Sequence, residues 1–185
     1  DTSQDFQHFV LLALLTGARR NNVLAMRWPD LSMERSTWTI PADESKNEEE
    51  MVIALVPEAL EILRERSPKL EGYVFAAPSK QGHMTPPKKR WRALLTRAKV
   101  SDLRIHDLRR SLGSWQAISG ASLAIIGKSL GHKSPSATAI YARLHLDPVR
   151  ASLNAATSAM LQAGGVKQPT KAQRIGRVQD KARRE

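Results

Sequence analysis

The order of apolar and polar positions along the chain predicts a protein built mostly of helices. Residues 4–15 are apolar on more than one face, which is typical of a buried helix, and Gly17 can end that helix in a left-handed turn. Ser134 followed by Pro135 is a helix-start signal, and an Asp-Pro pair repeats it near the end of the folded region. Further helices are predicted at residues 21–27, 57–66, 87–99, 106–119, 122–130, 134–144 and 147–162.

A few short stretches have the composition of strands instead. Residues 36–40 and 51–55 are rich in β-prone side chains, and the polar segment between them predicts an antiparallel pair joined by a long loop. A brief strand is expected at residues 73–75, and residues 79–87 are expected to form a loop. The predicted fold class is therefore mainly α with a small antiparallel β-sheet, an α+β arrangement.

The charge of the chain favours a polyanionic partner. The 185 residues carry a formal net charge of +11, which favours a nucleic-acid partner. Residues 166–185 hold seven Lys or Arg against two acids, so a basic tail is expected at 165–185. Residues 1–164 are expected to form one domain that includes the last predicted helix. Because the sequence opens on Asp1, we expect it to be a fragment of something longer.

Several classes of function find no support in the composition. The chain has no cysteine, which excludes disulfides and thiolate metal sites. Its five histidines lack the spacing of a zinc site, so no metal ligand is predicted. No apolar run approaches the ~20 residues of a membrane helix, and no membrane partner is expected.

Two arginine-containing stretches could bind a phosphate. Gly17 permits a sharp turn, and Arg19 follows near the start of a new helix. His106 and Arg109 are three residues apart, so they share one face near the positive end of a helix dipole. Arginine presents a planar fork that matches two phosphate oxygens. Arg110 is expected to point elsewhere, as a structural residue or a DNA-backbone contact.

Three further side chains could complete a phosphate-reactive set. Lys46 lies in the predicted loop between strands, where a lysine is usually only a solvated charge but could also deliver a proton. His132 follows a glycine, and Tyr141 is predicted in the middle of an exposed helix. A lone helical tyrosine is more often a packing residue than a nucleophile. The small neighbours Ala137 and Thr138 would leave room for a substrate beside its hydroxyl.

In combination and order, these residues resemble the catalytic domain of the tyrosine recombinases, the phage-integrase family. The family pattern T-G-x-R…K…H-x-L-R…L-G-H…Y is matched over residues 4–145 by Thr16-Gly17-Ala18-Arg19, Lys46, His106-Asp107-Leu108-Arg109, Leu130-Gly131-His132 and Tyr141. One position departs from it: Asn22 stands where the family commonly has an acidic residue, which puts a contact supporting the arginine in doubt.

The resemblance implies a chemistry and a set of roles. Tyr141 would attack a phosphodiester of duplex DNA and form a 3′-phosphotyrosyl bond, with Arg19 and Arg109 binding the phosphate. Lys46 would protonate the leaving oxygen, His106 would act as a base or phosphate ligand, and His132 would donate a hydrogen bond. No cofactor, metal or ATP is implied. Tyr73, the other tyrosine, is expected to be a packing residue.

The resemblance also implies partners. These are double-stranded DNA at specific recombination sites and a homo-oligomer, expected to be a tetramer, in the cytoplasm and nucleoid of a bacterial cell. A separate N-terminal DNA-binding domain, usual in the family, lies outside these 185 residues. The basic side chains chosen as candidate DNA contacts are Arg20, Lys88, Lys89, Arg90, Arg110 and Lys133.

Three alternatives stay open on the sequence. A type IB topoisomerase shares the Arg, Lys and Tyr logic, although His106 and the Leu-Gly-His132 step favour a recombinase. A basic DNA-binding module with a purely structural Tyr141 would explain the charge equally well. The last predicted helix carries an apolar stripe through Leu153 and Met160, which suits packing on its own domain or on a neighbouring protomer.

Overall fold

The computed structural model describes residues 3–44, 49–66, 68–142 and 146–165. The chain divides into two compact units, the first of which ends at Leu144. The helices of the first unit are α1 (Gln4–Thr16), α2 (Arg20–Leu24), α3 (Pro57–Glu65), α4 (Lys88–Ala98), α5 (Ile105–Ile118), α6 (Leu123–Ser129) and α7 (Pro135–Ala139). The described part of the second unit is one helix, α8 (Leu146–Ala163). Residues 166–185, predicted as a basic tail, lie outside the described part, and the domain boundary at 164 stays a prediction.

A small antiparallel sheet accompanies the helices and confirms the α+β class. Its strands β1 (Leu31–Ser32), β2 (Thr37–Ile40) and β3 (Met51–Ala54) lie in sequence order, with Trp38 opposite both Leu31 and Ile53. The pair β2–β3 was predicted, whereas β1 is only two residues long and carries no periodic signal. The strand expected at residues 73–75 is absent, and Tyr73 makes only an isolated bridge with Arg27.

The main core forms where α1 packs against α3 and α5. Phe6, Phe9 and Leu12 of α1 are almost fully buried, as is Trp38 of the sheet. A second, smaller cluster lies between α5 and α6 and consists of Ala117, Ile126, Leu130 and Tyr141. The second cluster therefore contains Tyr141, the nucleophile that the family resemblance predicts.

The Thr-Gly step ends α1 and brings it against α5. The Thr16 hydroxyl donates to the Leu12 carbonyl at 2.6 Å and accepts from the Ala18 amide at 3.2 Å. Gly17 then adopts φ +61°, and a Cβ there would lie 2.8 Å from Leu112 of α5. Only glycine combines this left-handed conformation with so close an approach.

The helix predicted at 134–144 is shorter than expected. It ends at Ala139, and the Tyr141 amide bonds the Thr138 carbonyl at 3.0 Å in a tighter, three-residue turn. The prediction that Tyr141 lies mid-helix and exposed is therefore wrong. The reason is tertiary: its ring is buried in the α5–α6 cluster, which no local pattern signals. Within the described ranges, no helix is long and apolar enough to cross a bilayer.

Candidate active site

Arg109 joins three of the sequence motifs. Its Nη1 donates to the Gly17 carbonyl at 2.6 Å, and its Nη2 donates to the Leu130 carbonyl. The residue is 6% exposed, and burial, followed by the nearby Arg19, lowers the pKa of its guanidinium to about 10. Arginine has five N–H donors, so the two carbonyls leave others for a ligand. The contact therefore connects the end of α1 and the turn after α6 to the middle of α5.

Arg19 lies at the start of α2, directly after the turn at Gly17. Its charge contributes to lowering the pKa values of both Arg109 and His132. Arg19 therefore acts electrostatically on Arg109, the other predicted phosphate-binding arginine, although it does not itself line the cavity that contains Arg109.

A cavity of about 370 Å³ brings together most of the predicted set. It is lined by Arg104, His106, Arg109, Arg110, His132, Ala137, Ile140 and Tyr141. The pKa values of His106 and His132 are both lowered, first by burial and then by the charge of Arg109. A lowered pKa favours the neutral form of both imidazoles at pH 7.

Tyr141 is 4% exposed and yet lines this cavity. Its ring rests on α5 at Gly113, where a Cβ would lie 2.6 Å from the ring Cζ and 2.8 Å from the hydroxyl oxygen. Burial raises the pKa of the phenol, while Arg109 and Arg110 partly oppose the shift. The raised pKa favours the protonated phenol, so a proton acceptor is needed before the oxygen can act as a nucleophile.

The ring of His132 is held by a buried threonine. Its Nδ1 lies 2.9 Å from the hydroxyl of Thr138, which is 3% exposed. Thr138 was predicted to leave space for a substrate, but the structure shows that its hydroxyl contacts the histidine. Ala137, the other small residue, does line the cavity.

Asp107 organises two of the arginines around the cavity. Its carboxylate accepts from Arg104 through the backbone amide at 2.9 Å and the side chain at 3.1 Å, and it pairs with Arg110 at 3.5 Å. The hydrogen bond from Arg104 is the main reason that the pKa of Asp107 falls to about 2. Arg110 was expected to point away from His106 and Arg109, whereas it lines the same cavity. Arg109 and Arg110 are adjacent on α5, yet both line the cavity, because the ion pair with the Asp107 carboxylate holds the Arg110 side chain on that side of the helix.

A larger cleft of about 1050 Å³ adjoins this cavity and shares Arg104 and His106 with it. Arg19 and Arg20 lie on one wall, and Lys88 and Arg92 of α4 lie on another. The basic side chains outnumber the two carboxylates, Asp43 and Asp102, that also line the cleft. Such a surface suits a polyanion that passes over the smaller cavity.

The structure separates the six candidate DNA contacts into three groups. Arg20 and Lys88 line the cleft, and Arg110 lines the cavity. Lys89 is exposed on α4. The two remaining residues have local partners: Arg90 donates to the Ser3 hydroxyl at 2.8 Å, and Lys133 pairs with Glu49 at 3.1 Å.

Lys46 and Asn22 are the remaining two positions of the predicted pattern. Lys46 lies outside the described residues, so its place in the site stays a prediction. Asn22, at the position where the family pattern has an acid, is buried and lines the larger cleft. Over the described part of the chain, no group of His, Asp and Glu could hold a metal ion.

Sequence reasoning missed several residues that shape the site. Gly113 falls four residues after Arg109, on the same helix face, and its lack of a side chain was the only available signal. No local pattern distinguishes Arg92 and Arg104 from the many other basic residues of the sequence. Asp107 was visible within the H-x-L-R pattern, but nothing there indicated that it pairs with two arginines.

The fold resembles that of solved recombinase structures. The catalytic domain of bacteriophage HP1 integrase superposes with a TM-score of 0.63 at 18% identity, covering 81% of each chain. XerH site-specific recombinase bound to its difH substrate superposes with a TM-score of 0.61 at 21% identity, covering 75% of this chain and 42% of that one. The first unit therefore has the fold of a tyrosine-recombinase catalytic domain.

The sequence comparisons identify the family. The profile described as "Phage integrase family" matches residues 3–147. The prophage integrase IntF of Escherichia coli K12 is 34% identical over 150 residues, which are 77% of this chain and 31% of that protein. The chain belongs to the phage integrase family, and it spans about a third of the length of IntF.

Proposed function

We propose that this chain is the part of a site-specific DNA recombinase that cleaves and rejoins duplex DNA through Tyr141. The main observation behind the proposal is that three of the sequence motifs meet at Arg109. This buried guanidinium bonds the carbonyls of Gly17 and Leu130 and shares one cavity with His106, His132 and Tyr141. These are the groups that a metal-free attack on a phosphodiester needs.

In the proposed step the Tyr141 oxygen attacks the phosphorus and forms a 3′-phosphotyrosyl ester. The bond to the 5′ oxygen breaks, and that oxygen leaves as a hydroxyl. The phenolic proton passes to a neutral imidazole, for which the family resemblance makes His106 the candidate; its lowered pKa favours the neutral ring that can accept the proton. Lys46 would supply the proton for the leaving oxygen, and the ester is reversed when another 5′-hydroxyl attacks it.

Arg19 and Arg109 would bind the two non-bridging oxygens and stabilise the charge that develops in the transition state. Their mutual proximity concentrates positive charge where a phosphate would neutralise it. Arginine charge can perform the electrostatic task that other enzymes assign to a metal ion, so we propose that neither metal nor ATP takes part.

The partner would be duplex DNA carrying a specific site, and the family resemblance suggests a tetramer assembled on it. The XerH structure is bound to a difH substrate, and the Tn1549 transposon integrase structure is in complex with transposon right end DNA, which supports DNA as the ligand here. The basic cleft beside the cavity provides a path for the backbone. Such a protein would work at the bacterial nucleoid.

The test is the trapping of a covalent complex. The chain is incubated, in EDTA and without nucleotide, with nicked duplexes drawn from the DNA that flanks its gene, and SDS-resistant adducts are measured. We expect an adduct with the unmodified chain and with Tyr73→Phe, the matched control at the other tyrosine. Tyr141→Phe should form no adduct but retain salt-sensitive DNA binding. An adduct that persists in Tyr141→Phe would overturn the assignment of the nucleophile.

A further inference from the structure

Thr138 touches both ends of the Leu-Gly-His…Tyr segment. Its side-chain oxygen lies 2.9 Å from Nδ1 of His132, and its backbone carbonyl accepts from the amide of Tyr141 at 3.0 Å. One residue, 3% exposed, therefore contacts the side chain of the histidine and the backbone of the candidate nucleophile.

The environment of Thr138 is built to hold its hydroxyl in place. Gly127 of α6 faces it closely, since a Cβ there would lie 3.0 Å from the Thr138 oxygen. The backbone of His132 is held by the same residue, because its amide donates to the Gly127 carbonyl at 2.9 Å. Both partners of the Thr138–His132 hydrogen bond are thus anchored on one turn of α6.

The direction of this hydrogen bond decides what His132 can do in the cavity. A neutral imidazole carries its proton on one nitrogen only, and the hydrogen bond made by one nitrogen determines the role of the other. If the Thr138 hydroxyl donates to Nδ1, the proton lies on Nε2, which can then donate to a phosphate oxygen. The reverse direction would leave Nε2 with a lone pair, which a phosphate oxygen would repel.

We infer that Thr138 is a positioning residue that donates its hydroxyl proton to Nδ1 of His132 and so keeps Nε2–H available for the scissile phosphate. Burial and the charges of Arg109 and Arg19 lower the pKa of His132, which favours the neutral ring. Only a neutral ring has two tautomers, so the hydrogen bond from Thr138 can select between them. The inference rests on the proposed function, because it gives the Nε2–H a phosphate to bind.

The direct test is the tautomer of His132 in the chain labelled with ¹⁵N-histidine, read by long-range ¹H–¹⁵N correlation at pH 8. We expect Nε2–H in the unmodified protein and in Thr138→Ser, which retains the hydroxyl. Thr138→Val, which has a similar shape without a hydroxyl, should give a mixture of the two tautomers. A predominant Nδ1–H signal in the unmodified protein would overturn the inference without any activity measurement.

The second readout is the rate of adduct formation in the trapping assay. Loss of a group that orients a metal-bound histidine typically costs ~10–100-fold, and we expect an effect toward the lower end of that range for a histidine that binds a phosphate. We expect Thr138→Val to be at least about tenfold slower and Thr138→Ser to recover most of the rate, with melting temperatures checking that each variant is folded. Equal rates for both variants would overturn the inference, whereas no adduct from the unmodified chain would overturn the proposed function instead.

Discussion

The sharpest test of how the nucleophile is held is Gly113→Ala. Gly113 lies on α5, one helical turn beyond Arg109, and the Tyr141 ring occupies the space that a side chain at this position would need. A methyl group at this position would stand 2.6 Å from the ring Cζ, whereas ordinary contact begins at 3.4 Å. The ring must therefore retreat by about 0.8 Å, the difference between those distances.

A displacement of that size should be visible as a loss of rate. A misplacement of ~1 Å in an active site can cost ~100-fold, because the attacking atom leaves its line with the phosphorus. We expect Gly113→Ala to form the covalent adduct between about 10- and 100-fold more slowly than the unmodified chain, with DNA affinity unchanged. The assay is single-turnover trapping of the adduct at saturating protein.

The net change in stability should lie between zero and a loss of ~2 kcal/mol. Replacing a mid-helix glycine by alanine gains ~1 kcal/mol of helix propensity, and the overpacking against the ring opposes it by ~1–3 kcal/mol. Ile118→Ala is the matched control, since Ile118 lies on the same helix with 52% of its surface exposed. An adduct rate in Gly113→Ala equal to that of Ile118→Ala, or faster than it, would refute the claim that the observed ring position is the one used for attack.

Two further perturbations test the surroundings of the site. Because the pKa of Asp107 is lowered from 3.8 to about 2, its contacts contribute stability, of order ~2 kcal/mol at most, that is present above pH ~4 and lost as the pH falls toward 2. Asp107→Asn should lose that stability at neutral pH and lose the acid dependence in this range, as measured by urea unfolding across pH. Removing the two α4 cations that line the cleft, Lys88→Ala with Arg92→Ala, should reduce the slope of log affinity for DNA against log salt by ~1–2, whereas the exposed Lys69→Ala, outside the cleft, should leave it unchanged. Equal slopes for the double variant and for Lys69→Ala would remove α4 from the DNA interface.

Helices were predictable wherever local signals mark both of their ends. Residues 4–15 were expected to form a helix ended by Gly17, and α1 spans Gln4–Thr16 with Gly17 in the left-handed conformation. The prediction failed where packing overrides propensity. The helix that begins at Pro135 ends at Ala139 because the tyrosine that follows is drawn into the α5–α6 cluster, which depends on residues distant in sequence.

In the candidate site, the chemically distinctive side chains were predictable from the sequence, whereas the residues that position them were not. The residues with distinctive chemistry, such as His106, Arg109 and His132, could be selected from the sequence because their types and order are specific. Their supports could not, since Gly113 and Thr138 are small residues of ordinary type. What they do depends on distances that only the folded chain creates: a Cβ at Gly113 would lie 2.6 Å from a carbon of the Tyr141 ring, and the Thr138 hydroxyl lies 2.9 Å from an imidazole nitrogen.

The way Arg109 is held explains why separated motifs behave as one unit. Its two partners lie 92 and 21 residues away in sequence, and both are backbone carbonyls rather than side chains. A backbone carbonyl is present at every position, so the identity of the partner residue is not what the contact selects. What it requires is that the chain turn at the correct point, which Gly17 achieves with a positive φ and a close approach to α5. The Thr-Gly step therefore has two roles: it ends α1, and it places the Gly17 carbonyl where Arg109 can donate to it.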